Sequence, residues 1–323
     1  MASDPRVPDI SVVVPVYRAE ACLDELYTRL TAALSPLTAH YELVLVEDGG
    51  GDRSWEMIRA LSARDPRVVG LQLSRNFGQH YAITAGLDAS VGRWVVVMDC
   101  DLQDPPEGIP ALYRKALDGF DIVLALRAER ADPPLKRAIS WGFYQAFSYL
   151  TDVRFDGRVR NFRIMSRKVV NAVCALREQL RFFAALVDWT GFRTAAIEVR
   201  HDARTHGRST YTYRKLLKLG VDTIVAYSDK PLRLAIRFGF VVAGLAVLAG
   251  LWFLTKVVFF GSPVLGWTSL IVSLYFLAGL IIVILGLNGL YLGKVFNETK
   301  KRPLYFITDT TRPGASATTE ERA

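Results

Sequence analysis

The chain has 323 residues and a formal net charge of +8, with 51% hydrophobic and 22% charged residues. That length holds one large domain or two small ones, and the positive balance points to an anionic partner. Cys22, Cys100 and Cys174 stand far apart, and neither they nor His40, His80, His201 and His206 show metal-ligand spacing. A zinc site and a disulfide framework are therefore not expected, and reduced thiols fit a cytoplasmic domain. No apolar signal stretch opens the sequence.

Up to about residue 127, apolar runs alternate with helical patterns. The runs at 10–16, 43–46, 68–73, 94–98 and 122–126 are rich in β-branched residues and read as buried strands. Helical stretches lie between them near 20–34, 54–63, 79–89 and 108–117. Such a βα repeat implies a mostly parallel, doubly wound sheet.

The first strand ends in Pro15-Val16-Tyr17. The second ends in Glu47-Asp48 followed by Gly49-Gly50-Gly51. Three glycines permit a tight turn where backbone approaches a ligand closely, and Asp48 could hold a ribose or base. Neither a G-x-G-x-x-G fingerprint nor a Walker A loop is present.

The fourth strand runs into Met98-Asp99-Cys100-Asp101-Leu102-Gln103-Asp104-Pro105-Pro106. Residues i and i+2 at a strand end point the same way, so Asp99 and Asp101 present two carboxylates together. That pair suits Mg²⁺ or Mn²⁺, hard cations that keep some waters and take substrate phosphate oxygens as further ligands. Solvated acids in a polar loop are the alternative reading. Placement at the carboxyl edge of a buried strand, where open α/β sheets bind ligands, favours the metal.

Two amphipathic segments follow, near 135–150 and 213–227. Each combines an apolar stripe with basic residues, among them Lys136 and Arg137 in the first and Arg214, Lys215 and Lys218 in the second. Beside membrane spans such helices lie in the interface; without a membrane they would be core-facing helices. Between them, Arg204-Thr205-His206-Gly207-Arg208-Ser209-Thr210 sets basic and hydroxyl groups around a glycine, as a phosphate-binding loop would; a solvated basic loop is the equal alternative.

The last quarter differs in kind. Residues 238–255 and 257–293 contain no charge, and only Lys256 separates them. Two transmembrane helices are expected, near 234–256 and 269–292, each close to the roughly 20 residues that a bilayer needs. Basic residues flank both spans: Lys230, Arg233 and Arg237 before, Lys294, Lys300, Lys301 and Arg302 after. The positive-inside rule puts both flanks and both termini in the cytoplasm, and the same residues attract anionic membrane lipids. Nucleic acid is not the expected partner, because the charge collects beside the spans. The expected organisation is a cytoplasmic domain over 1–230, a two-helix membrane domain over 231–293 and a cytoplasmic tail over 294–323, polar and disordered beyond Pro313.

Taken in order, Pro15-Val16-Tyr17, Val46-Glu47-Asp48-Gly49-Gly50, Arg75-Asn76-Phe77-Gly78, the Asp99 segment, Asn161-Phe162-Arg163, Arg204…Gly207-Arg208-Ser209 and Pro231-Leu232-Arg233 resemble a known family. It is the family-two, GT-A-fold glycosyltransferases of the polyprenyl-phosphate type, to which dolichol-phosphate mannose synthase and undecaprenyl-phosphate glucosyltransferases belong. The resemblance runs from about residue 9 to about 305. It implies a nucleotide-sugar donor (a UDP- or GDP-sugar), a divalent cation, a polyprenyl phosphate acceptor, inversion at the anomeric carbon and location in the cell membrane, and it allows a homo-oligomer. Carried over residue by residue, Pro15, Tyr17, Glu47 and Asp48 match nucleotide contacts. Asp99, Asp101 and Gln103 match the metal and diphosphate site. Arg127, Lys136, Ser140, Arg204 and Ser209 match positions that hold phosphates. Two departures stand out. Arg18-Ala19 replaces the usual Asn-Glu after the tyrosine, and Thr210 replaces a lysine after the loop serine. A processive polysaccharide synthase with a sugar hydroxyl as acceptor would need Gln-x-x-Arg-Trp, where this chain has Arg177-Glu178-Gln179-Leu180-Arg181. A non-catalytic membrane scaffold would not need the intact Asp99, Asp101 and Gln103.

Overall fold

In the computed structural model, residues 7–127, 159–199, 228, 230–260 and 266–312 are described. The strands are β1 (Ile10–Val16), β2 (Tyr41–Glu47), β3 (Val68–Leu73), β4 (Trp94–Val97), β5 (Ile122–Arg127), β6 (Val159–Ser166), β7 (Thr194–Val199) and β8 (Ile307–Thr310). The helices are α1 (Leu23–Leu34), α2 (Ser54–Arg64), α3 (Gln79–Ala89), α4 (Ile109–Leu117), α5 (Arg167–Ala175), α6 (Phe183–Trp189), α7 (Lys230–Phe260) and α8 (Trp267–Thr299). The described residues up to 199 and from 302 onward form one compact unit; those from 228 to 301 form another.

The first unit is built on an eight-stranded sheet in the order β7-β5-β6-β4-β1-β2-β3-β8. Its centre is parallel: β1 pairs with β2 and β4, and β2 with β3. β6 enters antiparallel between β4 and β5, and β8 antiparallel beside β3. All seven residues of β1 and of β2 are buried. Continuous apolar runs of this kind are what a parallel sheet covered on both faces demands. Val12, Val14 and Val16 pack with Leu23, Leu26 and Leu30 of α1 and with Leu112 of α4. On the opposite face, α3 comes so close that a Cβ on Gly86 would stand 2.3 Å from a Val13 methyl. The sheet is thus doubly wound, as expected, with its carboxyl edge left to loops.

The end of the chain departs from expectation. The region foreseen as a tail from residue 294 begins with the last turns of α8, because Lys294, Asn297 and Glu298 continue the helix past the apolar stretch. It then supplies the sheet's outer strand β8. Arg312 locks it down, donating from Nη1 to the Ala89 carbonyl at 2.8 Å and from Nη2 to buried Glu42 at 3.0 Å. Tyr305 donates to Asp88 at 2.7 Å.

In the second unit, α7 and α8 contain stretches long and apolar enough to cross a membrane, Lys230–Trp252 and Ser273–Thr299. The helices themselves, of 31 and 33 residues, are longer than the expected spans. Their apolar side chains face outward: Phe240 and Tyr275 are 75% exposed, and Ile282 and Leu292 69%. A helix that is hydrophobic all round belongs in a buried or lipid setting, and no residue of either stretch is buried within the chain. The amphipathic segments near 135–150 and 213–227 lie outside the described residues.

Candidate functional site

The carboxyl ends of β4, β1 and β2 lie side by side and gather the candidate residues. β4 stops at Val97, and the chain then turns on Leu102, whose φ of 57° is left-handed. Burial of the Leu102 side chain, only 2% exposed, holds that conformation. Asp101 braces the turn by accepting the Gln103 N–H at 3.2 Å.

Asp99 is oriented by two amides from elsewhere in the fold. Gln79, the first residue of α3, donates to its Oδ1 at 2.7 Å, and Asn161 of β6 donates to the same oxygen at 3.1 Å. Arg163, two residues on, is fully buried, with its guanidinium 4.9 Å from the Phe183 ring centre. Burial pushes its pKa down to about 10, and the charges of Asp188 and Asp99 oppose that fall. It remains cationic at neutral pH and offsets part of the negative charge at the site. Gln79 and Asn161 received no role from the sequence reading. Asn161 sat in a quoted motif, but only the antiparallel placement of β6 beside β4 brings it to Asp99.

Cys22 and Cys100 pack beneath this turn. The Cys22 thiol donates to the Cys100 carbonyl at 3.2 Å. The Cys100 thiol is held well above the ordinary range, first by its hydrogen bond with Cys22 and then by burial. All three cysteines are free thiols in the structure.

Glu47 and Asp48 turn their carboxylates inward. Glu47 Oε1 accepts the Gly50 N–H at 2.5 Å. Asp48, 2% exposed, accepts the Phe77 and Gly78 N–H groups at 2.8 and 2.9 Å. Burial raises its pKa, while the two N–H groups pull it back. Through these bonds Asp48 pins the loop that delivers Gln79. Gly49 completes the fit, since its φ is 63° and a Cβ there would fall 2.4 Å from the Asn76 nitrogen. Pro15 is buried inside β1, opposite Val46. Tyr17, 46% exposed, stands at the open edge with the Arg18 guanidinium 5.4 Å from its ring centre.

Among the described residues, no group of three or more His, Cys, Asp or Glu side chains is placed to hold a metal ion. Asp99 and Asp101, with Gln103 next along the same turn, offer a small set of hard oxygen donors. That set fits a cation such as Mg²⁺, which is commonly held by one or two carboxylates, waters and substrate phosphates. Arg127 closes β5, paired with Val199 of β7. Lys136, Ser140, Arg204 and Ser209 lie outside the described residues.

Residues 11–173 match the family described as Glycosyl transferase family 2. An uncharacterized glycosyltransferase of Bacillus subtilis, YkcC, is 40% identical over 92% of this chain and 92% of its own length. The bactoprenol glucosyl transferase of Shigella phage SfX is 37% identical over 92% of this chain and 98% of its own. An undecaprenyl-phosphate 4-deoxy-4-formamido-L-arabinose transferase of Shewanella sediminis is 35% identical over 96% of this chain and 94% of its own.

Proposed function

The chain belongs to glycosyl transferase family 2, and from that premise we propose that it moves a sugar from a nucleotide-sugar donor to a polyprenyl phosphate at the cytoplasmic face of a membrane. Relatives named as bactoprenol and undecaprenyl-phosphate transferases match it over nearly their whole length. The observation that carries the reading is one chain joining an Asp99–Asp101 strand end, on a GT-A-type doubly wound sheet, to two long apolar helices. A soluble acceptor would need no such helices. A water-insoluble lipid phosphate does.

The chemistry follows from the charges. A nucleotide sugar leaves as a nucleoside diphosphate, and a divalent cation at Asp99 and Asp101 would neutralise charge on that leaving group. Gln79 and Asn161 fix the Asp99 carboxylate, so that its negative charge is aimed before substrate arrives. The acceptor is a phosphate monoester with a second pKa of about 6. It is already an anionic nucleophile at neutral pH, and no general base is required. What the protein must do is hold two anions close while leaving the in-line path open. We assign that task to Arg127, Lys136, Ser140, Arg204 and Ser209, and contact with the nucleotide to Tyr17. The stretch where a polysaccharide synthase would carry its acceptor motif is used inside the fold. Arg177 pairs with Asp88 at 2.8 Å, and Gln179 donates to the Arg302 carbonyl at 2.7 Å.

The test is direct. Purified membranes are offered a panel of nucleotide sugars with undecaprenyl phosphate, and the lipid fraction is read by mass spectrometry. One sugar added to the lipid phosphate is the expected product. Transfer to a sugar hydroxyl, or no lipid product with any donor, overturns the proposal.

A further inference from the structure

Arg18 stands where the family resemblance has an asparagine, and its backbone is unusual. Its φ is 50°, one of three positive values among non-glycine residues described. A side chain in the left-handed region is strained, and such outliers cluster at ligand sites. Leu102, a second of the three, lies at the end of neighbouring β4. The strain is built in: a Cβ on Gly50 would stand 2.9 Å from the Arg18 nitrogen, so the β2 turn presses against this residue.

The Arg18 side chain is held at its base and open at its tip. Nε donates to the Gly50 carbonyl at 3.1 Å, and the guanidinium lies over Tyr17. Its terminal Nη groups have no partner among the described residues. The nearby acids are turned to backbone: Glu20 accepts the Arg53 N–H at 3.2 Å, Asp52 accepts the Glu20 N–H at 3.3 Å, and Glu47 accepts from Gly50. Arg18 thus presents donors only, in a fixed fork, at an exposed edge.

Position gives that fork an object. Neighbouring strands lie about 4.8 Å apart. A diphosphate at the end of β4 therefore sets the nucleoside above the ends of β1 and β2, roughly 5–10 Å away. We infer that Arg18 reads the edge of the donor's nucleobase and selects bases that present carbonyl oxygens, as uracil and guanine do, over cytosine and adenine, which present amino groups there. Uracil O4 and guanine O6 accept hydrogen bonds; the exocyclic amines of cytosine and adenine donate them and face a donor. The inference rests on the proposed donor site and adds the base it takes.

UDP and CDP separate the idea, because they differ only in the carbonyl or amino group at pyrimidine C4 and in the N3 proton that goes with it. Titration calorimetry on the purified full chain in detergent, with Mg²⁺ at fixed ionic strength, should rank UDP and GDP above CDP and ADP by tenfold or more. Arg18→Gln keeps the length of the side chain and Arg18→Gly relieves the backbone. Both should weaken UDP about tenfold to a hundredfold, leave CDP nearly unchanged and collapse the UDP/CDP ratio. A ratio unchanged in both variants overturns the inference. So does an equal loss of UDP and CDP, since that is what a purely structural role in bracing Gly50 would produce. Failure of every nucleoside diphosphate to bind the unaltered protein would instead remove the donor site itself, and the inference with it.

Discussion

Replacing Asp48 tests whether the second strand's carboxylate serves ligand or loop. Both of its oxygens accept half-buried backbone N–H groups, from Phe77 and Gly78. Asp48→Ala leaves those two donors without partners, at about 1–3 kcal/mol each. Removal of a carboxylate that burial already disfavours returns part of this, so a net loss of about 3 kcal/mol is expected. Asp48→Asn keeps one acceptor but turns an NH₂ toward the other N–H, losing one charge-assisted bond; about 1–2 kcal/mol is expected after the same correction. For a unit near 200 residues each kcal/mol moves Tm by roughly 2–4 °C. Thermal melting of the full chain in detergent should therefore fall by about 6–12 °C for alanine and about 2–8 °C for asparagine. Donor KM should rise in both, because the loop carries Gln79 to Asp99. A pure nucleotide contact predicts raised KM with Tm unchanged, and that result would refute the reasoning.

Asp99→Asn and Asp101→Asn should fold with little change in Tm yet lose most transfer; a chelator should do the same, and Mg²⁺ or Mn²⁺ should restore it, whereas full activity in chelator sinks the metal assignment. His80 gives a pH signature: burial, with Arg163 and Arg181 near, lowers its pKa to about 4, and its Nδ1 is buried without a hydrogen-bond partner among the described residues, although the residue as a whole is only half-buried. The unfolded chain takes up a proton near pH 6.5 that the folded chain refuses, so stability present above 6.5 drains away toward pH 4, by at most about 3 kcal/mol. His80→Phe, which keeps an aromatic ring against Phe182, should flatten that slope in denaturant titrations; a parallel pH profile in both proteins contradicts it. Lys136→Ala or Arg204→Ala should raise KM for lipid phosphate, or lower turnover, about ten- to a hundredfold at fixed ionic strength in detergent; unchanged kinetics would leave these as surface charges. A cysteine near Val264 should react with an impermeant reagent from outside and one near Ala315 should not; the opposite labelling reverses the proposed orientation.

Legibility in the sequence followed burial. β1 to β5 read plainly because the parallel centre is apolar on both faces. β6 did not, since Arg160, Asn161 and Arg163 interrupt its pattern; Arg163 is nonetheless fully buried, its charge answered by Asp188, Asp99 and an aromatic face. β7 alternates exposed and half-buried residues around two alanines, and β8 is four residues with only Ile307 clearly apolar. In the site, Asp99 and Asp101 were visible as neighbours on one strand. Gln79 and Asn161 were not, because strand order rather than sequence spacing carries them to Asp99. Asp48 was recognised as important, but nothing local to it reveals that its partners are backbone groups some thirty residues away.

The position of β8 has a consequence for how the protein is made. It is an outer strand of the sheet, yet a ribosome reaches it only after both α7 and α8 have been synthesised. Until then β3 has an open edge of unpaired N–H and C=O groups, Glu42 lacks Arg312, and Asp88 lacks Tyr305. Completion of the sheet is therefore tied by chain order to synthesis of the membrane hairpin. A nascent chain released early, before residue 307, would keep every metal and nucleotide residue assigned above and still display a bare strand edge, the feature that invites pairing with other chains.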